Sequence, residues 1–364
     1  MEQVALRDVR SYPRLELELE AGLVLVTGRN GAGKTNLLEA VHLATQGLSF
    51  RTRQDGQIVR RGTDEALAQV SGRRGAAEGS ARVAGARGEV RIETEVRLST
   101  REPKRIRLNG AAVASAEELR SRVHTLAFTP DRLAVVKGGP ATRRAYFDRV
   151  LARALPARAE LPAAYGAALG QRNAALRRVA GGLSDAGALE PWTEQVVTLA
   201  RELVEARARV LELLAAPFAE RSAELGLSAA TLDYDAEPPT RESLDARLAR
   251  DLERGTTGAG PHLDEIRILS GDRDLRTFGS QGEQRMAVLS LLLAEAELLA
   301  SHGGVPPLLL LDDALSELDA DRRRRLSERV GSVGQTLITA TGAEALPLAP
   351  AQLLAVTPGE VRPG

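Results

Sequence analysis

The run Gly28-Arg-Asn-Gly-Ala-Gly-Lys34-Thr35 has the spacing Gly, any four, Gly-Lys-Ser/Thr of a phosphate-binding loop. Each residue type answers a need of a bound polyphosphate. Gly28, Gly31 and Gly33 can take backbone angles closed to other residues, so the chain can curl tightly round an anion. The curl turns successive backbone N–H groups inward. Lys34 supplies a point charge for the β- and γ-phosphates, and the Thr35 hydroxyl a ligand for Mg²⁺. Gly28, Arg29, Asn30, Gly31, Ala32, Gly33, Lys34, Thr35 and Asn36 are therefore the expected cradle of a nucleotide such as ATP.

A second group lies near the other end of the chain. Leu308-Leu-Leu-Leu-Asp312-Asp313 is an apolar run ending in two carboxylates. A buried strand would deliver Asp312 to its C-terminal edge, where it could help Thr35 hold Mg²⁺. The adjacent Asp313 could then orient or deprotonate an attacking water, making Asp313 and Lys34 the expected catalytic residues. Ser316-Glu-Leu-Asp319 follows. Upstream, Gly279-Ser280-Gln-Gly-Glu-Gln284 opens a long apolar stretch from Met286 to Ala300. Ser280 and Gly282 at a helix N-terminus, with Gln284, would form a further phosphate site. Ser280-Gln-Gly-Glu-Gln resembles the Ser-Gly-Gly-Gln signature of ATP-binding cassettes. In that architecture the signature completes the nucleotide site of a second protomer, so the resemblance implies an ATP-dependent homodimer.

The elements around these residues follow from periodicity. Gly22–Thr27 reads as a buried strand entering the loop, and Thr35–Ala44 as a helix with Leu37, Leu38, Val41 and Ala44 on its apolar side. Val4, Leu6, Leu15, Leu17 and Leu19 alternate with polar residues, as in half-buried strands. After Leu48–Arg53, a glycine- and arginine-rich stretch to about Gly88 carries loop signals. Val90–Leu98 alternates as a strand with one wet face, and a partner around Lys104–Val113 turns at Asn109-Gly110. Val123–Phe128, Thr231–Asp235, Glu265–Leu269 and Gln335–Thr341 read as further strands. From Ala141 to about Leu225 the chain is rich in Ala, Leu, Arg and Glu at helical spacing. Leu189–Ala223 reads as one long helix or two, divided at Pro217, with Trp192 packing inside this arm. Arg241–Arg254 reads as a helix.

Composition narrows the class. Charged residues are 27% and hydrophobic residues 43% of 364, as in a globular protein with a large core. No apolar run approaches a membrane span, and no membrane partner is expected. The N-terminal residues lack a signal-peptide pattern, so a cytoplasmic location is expected. There is no Cys, which excludes disulfides and thiol catalysis. The formal net charge is zero, so no global field draws in nucleic acid. Lys and Arg total 49, yet only Lys34, Lys104 and Lys137 are lysines. Arginines gather at Arg51/Arg53/Arg60/Arg61, Arg101–Arg107 and Arg322–Arg325, where they form either basic patches or ion pairs.

With these motifs in order, the chain resembles the RecF family of DNA replication and repair proteins, relatives of the structural-maintenance-of-chromosomes ATPases. The resemblance runs nearly end to end. The loop and signature are common to all cassettes. Lys137-Gly-Gly-Pro with Arg143-Arg144, inside the matching stretch Phe128–Arg144, and Gln171-Arg-Asn discriminate this family from them; Gly260-Pro-His262 also matches. It implies an α/β fold, a P-loop NTPase of ATP-binding-cassette type with a mixed sheet around the phosphate-loop helix and an inserted helical lobe. Residues 1–139 and 256–364 would form the ATPase head and 140–255 the arm. The family further implies ATP and Mg²⁺ as cofactors and weak hydrolysis. It implies binding to double-stranded and gapped DNA, especially at single-strand/double-strand junctions. It also implies cooperation with RecO and RecR in loading RecA recombinase, with a link to the SOS response.

Two departures from the cassette pattern stand out. Cassette transporters carry a His after the strand that follows the Asp pair, whereas Gln335–Thr341 has none. Thr339 or Thr341 would stand in. The usual bridging Gln is also missing, and Thr129-Pro-Asp131 lies in its place. His262 is expected to serve a structural hydrogen bond. A transporter's nucleotide-binding subunit shares the loop and signature. The helical insertion, the missing His and the strand-rich 90–113 stand against it. A mainly structural chromosome protein that binds ATP without useful turnover is a third reading, separated from the main one by an ATPase assay with gapped duplex.

Overall fold

The computed structural model describes residues 1–75, 90–303 and 305–364. They form two compact units. The first comprises Met1–Arg132, Glu224–Gly226 and Leu289–Gly364, and the second Leu133–Ala223 and Leu227–Val288.

The first unit holds two six-stranded sheets. One is built from β1 (Gln3–Val9), β2 (Tyr12–Glu18), β4 (Glu65–Arg74), β5 (Val90–Ser99), β6 (Arg105–Leu108) and β7 (Ala111–Ala112), in the order β2-β1-β4-β5-β6-β7 and antiparallel throughout. Asn109 and Gly110, both at positive φ, make the two-residue turn between β6 and β7, as an Asn-Gly pair favours. The other sheet holds β3 (Leu23–Thr27), β8 (Thr125–Phe128), β12 (Leu308–Leu311), β13 (Thr336–Ala340), β14 (Gln352–Thr357) and β15 (Glu360–Pro363). Its order is β15-β14-β3-β13-β12-β8, parallel except for the terminal β14–β15 pair.

The phosphate-loop helix, Lys34–Gln46, shares one apolar core with both sheets. Leu37, Leu38, Val41 and Ala44 meet Val4, Leu6, Ala66 and Ala68 of one sheet and Val24, Leu310 and Leu337 of the other. Every residue from Leu37 to Gln46 is buried, as a helix covered on both sides requires. Its polar residues are satisfied in place. Thr45 Oγ1 donates to the Val41 carbonyl at 2.9 Å, and Gln46 Nε2 to the Val123 carbonyl at 2.6 Å.

The loop expected before Gly88 needs correction over part of its length. Glu65–Arg74 is a ten-residue strand at the centre of its sheet, paired on one side with β1 and on the other with β5. Its inward positions include Ala66 and Ala68, whose small side chains leave little alternating hydrophobic signal. The part of that expected loop at residues 76–89 lies outside the described residues.

The second unit is mainly helical, with helices Pro140–Ala154, Leu161–Ala180 and Glu190–Glu224, and a small sheet of β9 (Ala230–Asp233), β10 (Arg267–Ser270) and β11 (Arg273–Asp274). Glu190–Glu224 is a single helix that continues through Pro217. Arg241–Arg254 is two short helices, Arg241–Asp245 and Leu248–Arg254. Trp192 packs against Ala175, Leu176 and Leu189, within the arm as expected.

Buried polar side chains tie this unit together, and the discriminating motifs supply many of them. Arg172, 1% exposed, donates to Asp251 Oδ2 at 3.1 Å, Thr257 Oγ1 at 2.7 Å and Thr193 Oγ1 at 3.2 Å. Asn173 Oδ1 accepts the Thr257 backbone N–H at 2.8 Å. Arg143 caps the carbonyls of Val136 and Gly138 and pairs with Glu265. Arg207 forms a fork on Asp148 at 2.8 and 3.0 Å and donates to the Pro261 carbonyl. His262 Nε2 lies 3.0 Å from the Thr257 carbonyl, which can only accept, so Nδ1 accepts the Tyr165 hydroxyl at 2.7 Å. That is the structural role expected for His262.

Candidate nucleotide-binding site

The site in the first unit begins at the C-terminal end of β3, where the parallel strands release their loops. Gly28 follows the strand at φ +152°, and a Cβ there would meet the Val356 carbonyl oxygen at 2.5 Å. Gly33, at φ +116°, is the N-cap of the helix. Tyr12, fully buried, donates to the Gly33 carbonyl at 3.0 Å and fixes the end of the loop from below. Arg29, Asn30 and Gly31 are exposed, Ala32 and Gly33 buried, and Lys34, Thr35 and Asn36 half-buried. No side chain caps the helix and its first turn carries no acid, so its N–H groups face the loop unneutralised. That is the donor set an anionic phosphate takes.

Lys34 folds back over the loop. Its Nζ donates to the Gly28 carbonyl at 2.5 Å and the Arg29 carbonyl at 3.1 Å. Burial holds the ammonium below its usual pKa, and the nearby Asp312 and Asp313 oppose the shift. A cation so placed is matched to a charged phosphate group.

The strand order brings the distant acids to this loop. β13 lies between β3 and β12, and Leu311 is in register with Ile338, so Asp312 leaves its strand level with Thr339. The Thr35 hydroxyl lies 3.0 and 2.9 Å from the two Asp312 carboxylate oxygens. Thr339 Oγ1 donates to Asp312 Oδ1 at 2.9 Å, and the Asp313 backbone N–H donates to Thr339 Oγ1 at 2.9 Å. Burial pushes the Asp312 carboxyl above its ordinary pKa, against the hydrogen bonds from Thr35 and Thr339. Thr35 and Asp312 together present the hard oxygen donors that Mg²⁺ requires, so these two residues would hold the metal. Asp313 stands at φ +53°, and its Oδ2 accepts the Ser316 hydroxyl at 2.9 Å.

Motif reasoning did not single out Glu39, Arg10 or Ser49, which brace the helix. Glu39 is fully buried, yet it accepts a fork from Arg10 at 2.9 and 2.7 Å, the Ser49 hydroxyl at 2.5 Å and Arg51 at 3.3 Å. Asn36 joins this group by accepting Arg51 at 3.0 Å and donating to Ser11 at 3.0 Å. A charged residue set among Leu37, Leu38, Ala40 and Val41 was the available signal. Several arginines of the candidate basic patches are also paired: Arg60 with Asp8, Arg101 with Asp64, Arg105 with Glu102, and Arg324 and Arg325 with Asp321. Thr341 is exposed, and Asp131 is exposed in the turn Pro130–Leu133.

The signature residues belong to the second unit. Ser280 and Glu283 cap the helix Gln281–Gly303 reciprocally: Glu283 Oε2 accepts the Ser280 N–H at 2.8 Å, and Ser280 Oγ accepts the Glu283 N–H at 3.2 Å. The Ser280 amide and Arg273 hold the Glu283 carboxyl down at about 2. Ser280 and Gly282 are exposed. Gln284 is buried, and its side-chain amide donates to the Leu275 carbonyl at 2.8 Å.

The family model "RecF/RecN/SMC N terminal domain" matches residues 1–361. The chain is 36% identical over 363 residues to the DNA replication and repair protein RecF of Acidothermus cellulolyticus, covering 93% of each chain. It is 33% identical to that of Desulfitobacterium hafniense, covering 98% of this chain and 97% of the relative. The chain belongs to the RecF family. Among solved structures, a recombination mediator protein RecF with ATP, of the RecFOR pathway, matches this RecF-family chain at TM-score 0.84 and 26% identity, over 100% of this chain and 97% of that one. An Smc head bound to the C-terminal winged-helix domain of ScpA matches at TM-score 0.58 and 15% identity, a likeness of fold. The head of this RecF-family member is thus of the ATP-binding-cassette type, as expected from its motifs.

Proposed function

We propose that the chain is an ATP-dependent DNA-binding protein of recombinational repair and replication restart. ATP binds the loop 28–36, with Mg²⁺ on Thr35 and Asp312, and Asp313 positions the attacking water. Ser280 and Gly282 of a second copy close the nucleotide site, with Gln284 buttressing their helix, and ATP drives the homodimer. Hydrolysis is weak and acts as a timer that releases the dimer from DNA. The bound DNA is double-stranded or gapped, with single-strand/double-strand junctions preferred. In this role the chain acts with RecO and RecR to load RecA and supports SOS induction. The division into an ATPase head, 1–139 and 256–364, and an arm, 140–255, is part of the same reading.

The observation that carries the reading is the approach of Thr35 to Asp312 at 2.9 Å beside an uncapped loop helix. The related structures of RecF with ATP and with an ATP analogue, in the RecFOR pathway, support the choice of nucleotide and pathway. Among the described residues no helix is long and apolar enough to cross a membrane. Light scattering with and without ATP tests the central claim. Wild type should dimerise with ATP, and Lys34→Met and Ser280→Arg should not. A Ser280→Arg protein that still dimerises on ATP refutes the trans arrangement. DNA affinity should rest on arginine–phosphate contacts and fall with added salt.

A further inference from the structure

Asp312 and Asp313 need a common reference if one is to hold a metal and the other a water. The missing switch histidine leaves open what provides it. We infer that Thr339 is the positioning residue of the hydrolytic site, setting Asp313 relative to Asp312 through its one hydroxyl. This rests on the proposed nucleotide-site reading.

The geometry has three parts. First, β13 is the strand between β3 and β12, so it lies beside both the phosphate-loop strand and the strand that ends in the acids. Thr339 pairs in register with Val26, and its side chain is 1% exposed. Second, both capacities of its hydroxyl are used on neighbouring acids. The proton goes to Asp312 Oδ1 at 2.9 Å, and a lone pair receives the Asp313 N–H at 2.9 Å. A hydroxyl has a single proton, so the direction of each bond is fixed by the other. Third, Asp313 stands at φ +53°, a left-handed conformation uncommon for L-residues, which Asp tolerates better than most. The bond from its amide to Thr339 and the bond from Ser316 to its carboxylate hold it at its two ends.

The arrangement differs in kind from what an imidazole would do. A histidine would reach outward to touch a phosphate or the water. The Thr339 hydroxyl is buried and spent on the two acids, so it acts only through them. Thr341, the other candidate replacement, is exposed two residues further on. Losing Thr339 should therefore change the rate of hydrolysis and leave the loop's hold on the nucleotide in place.

The test compares Thr339→Val, Thr339→Ser, Asp313→Asn and Lys34→Met in the full chain. Hydrolysis under saturating Mg·ATP is measured beside the affinity for a fluorescent ATP analogue with Mg²⁺. Thr339→Val should lose about tenfold to a hundredfold in kcat, the scale of a misplaced catalytic group. Its nucleotide affinity should stay within about threefold of wild type, a change of under 1 kcal/mol. Thr339→Ser keeps the hydroxyl and should recover most of the rate. If Thr339→Val hydrolyses like wild type while Asp313→Asn does not, the inference is wrong. It is equally wrong if Thr339→Val loses nucleotide affinity and rate together and Thr339→Ser does not recover them. Wild-type behaviour in both Lys34→Met and Asp313→Asn would instead overturn the nucleotide-site reading itself.

Discussion

The Thr35 hydroxyl and the Asp312 carboxylate, 277 residues apart in sequence, lie 2.9 Å from each other. Under the proposed reading the two share one divalent cation. Thr35→Val should therefore cost Mg²⁺-dependent nucleotide binding. Calorimetry with ATP should show at least about tenfold weaker binding with Mg²⁺ present, or 1.4 kcal/mol, and little change in excess chelator. An Mg²⁺ enhancement equal to wild type would remove Thr35 from the metal site.

The loop glycines should differ in their tolerance. At Gly28 an added methyl meets the Val356 backbone carbonyl at 2.5 Å, which cannot swing aside as a side chain could. Gly28→Ala should destabilise the fold by about 1–3 kcal/mol, the usual cost of overpacking. At Gly31 nothing stands within 4 Å, and only its φ of +80° resists the change. Gly31→Ala should cost about 1–2 kcal/mol through that angle. Thermal melting of the two variants should rank Gly28→Ala at or below Gly31→Ala.

The second unit should be sensitive at Arg172. It and Asp251 are 1% and 2% exposed, so removing one leaves the other's charge buried. Arg172→Met should cost about 3–5 kcal/mol. Arg241→Met, at a surface cluster with Glu190, Glu194 and Asp245, should leave the denaturation midpoint where it was. Equal effects of the two substitutions would show that the buried network does not hold this unit.

His262 should make stability depend on pH. Burial lowers its pKa in the folded chain below the ordinary 6.5, while the bond to the Thr257 carbonyl opposes the shift. A depressed histidine favours the neutral form, so the unfolded chain binds more protons. Its stabilising contribution is complete above pH 6.5 and declines as the pH falls from there towards the folded-state value. Urea denaturation at pH 8 and pH 5.5 should show a larger loss for wild type than for His262→Gln. Equal losses would place the pH dependence elsewhere.

Much of the site was legible because its chemistry fixes residue types at short range. A phosphate loop needs its glycines, Lys34 and Thr35 within one turn, and a metal-binding acid needs an apolar strand before it. The choice between Thr339 and Thr341 was not legible, since it depends on the register of β13 against β12. The brace around Glu39 was hidden for a similar reason: Arg10 comes from one segment, and Ser49 and Arg51 from another beyond the helix. In the fold, Glu65–Arg74 escaped notice because alanines fill much of its inner face, and burial there comes from neighbours. Pro217 suggested a break in a helix that runs through it without one. The Asn109-Gly110 turn, by contrast, needs only its own two residues, and it formed as read.

In the sheet that carries the nucleotide loop, β3 finds its partners in β13 and β14, at Thr336–Ala340 and Gln352–Thr357. A ribosome must therefore make almost the whole described chain before that strand has a neighbour on either side. Until then Leu23–Thr27 is an unpaired apolar edge, open to wrong partners. Under the proposed reading, a product cut short before β13 leaves the loop strand without either neighbour and should fail to hold ATP.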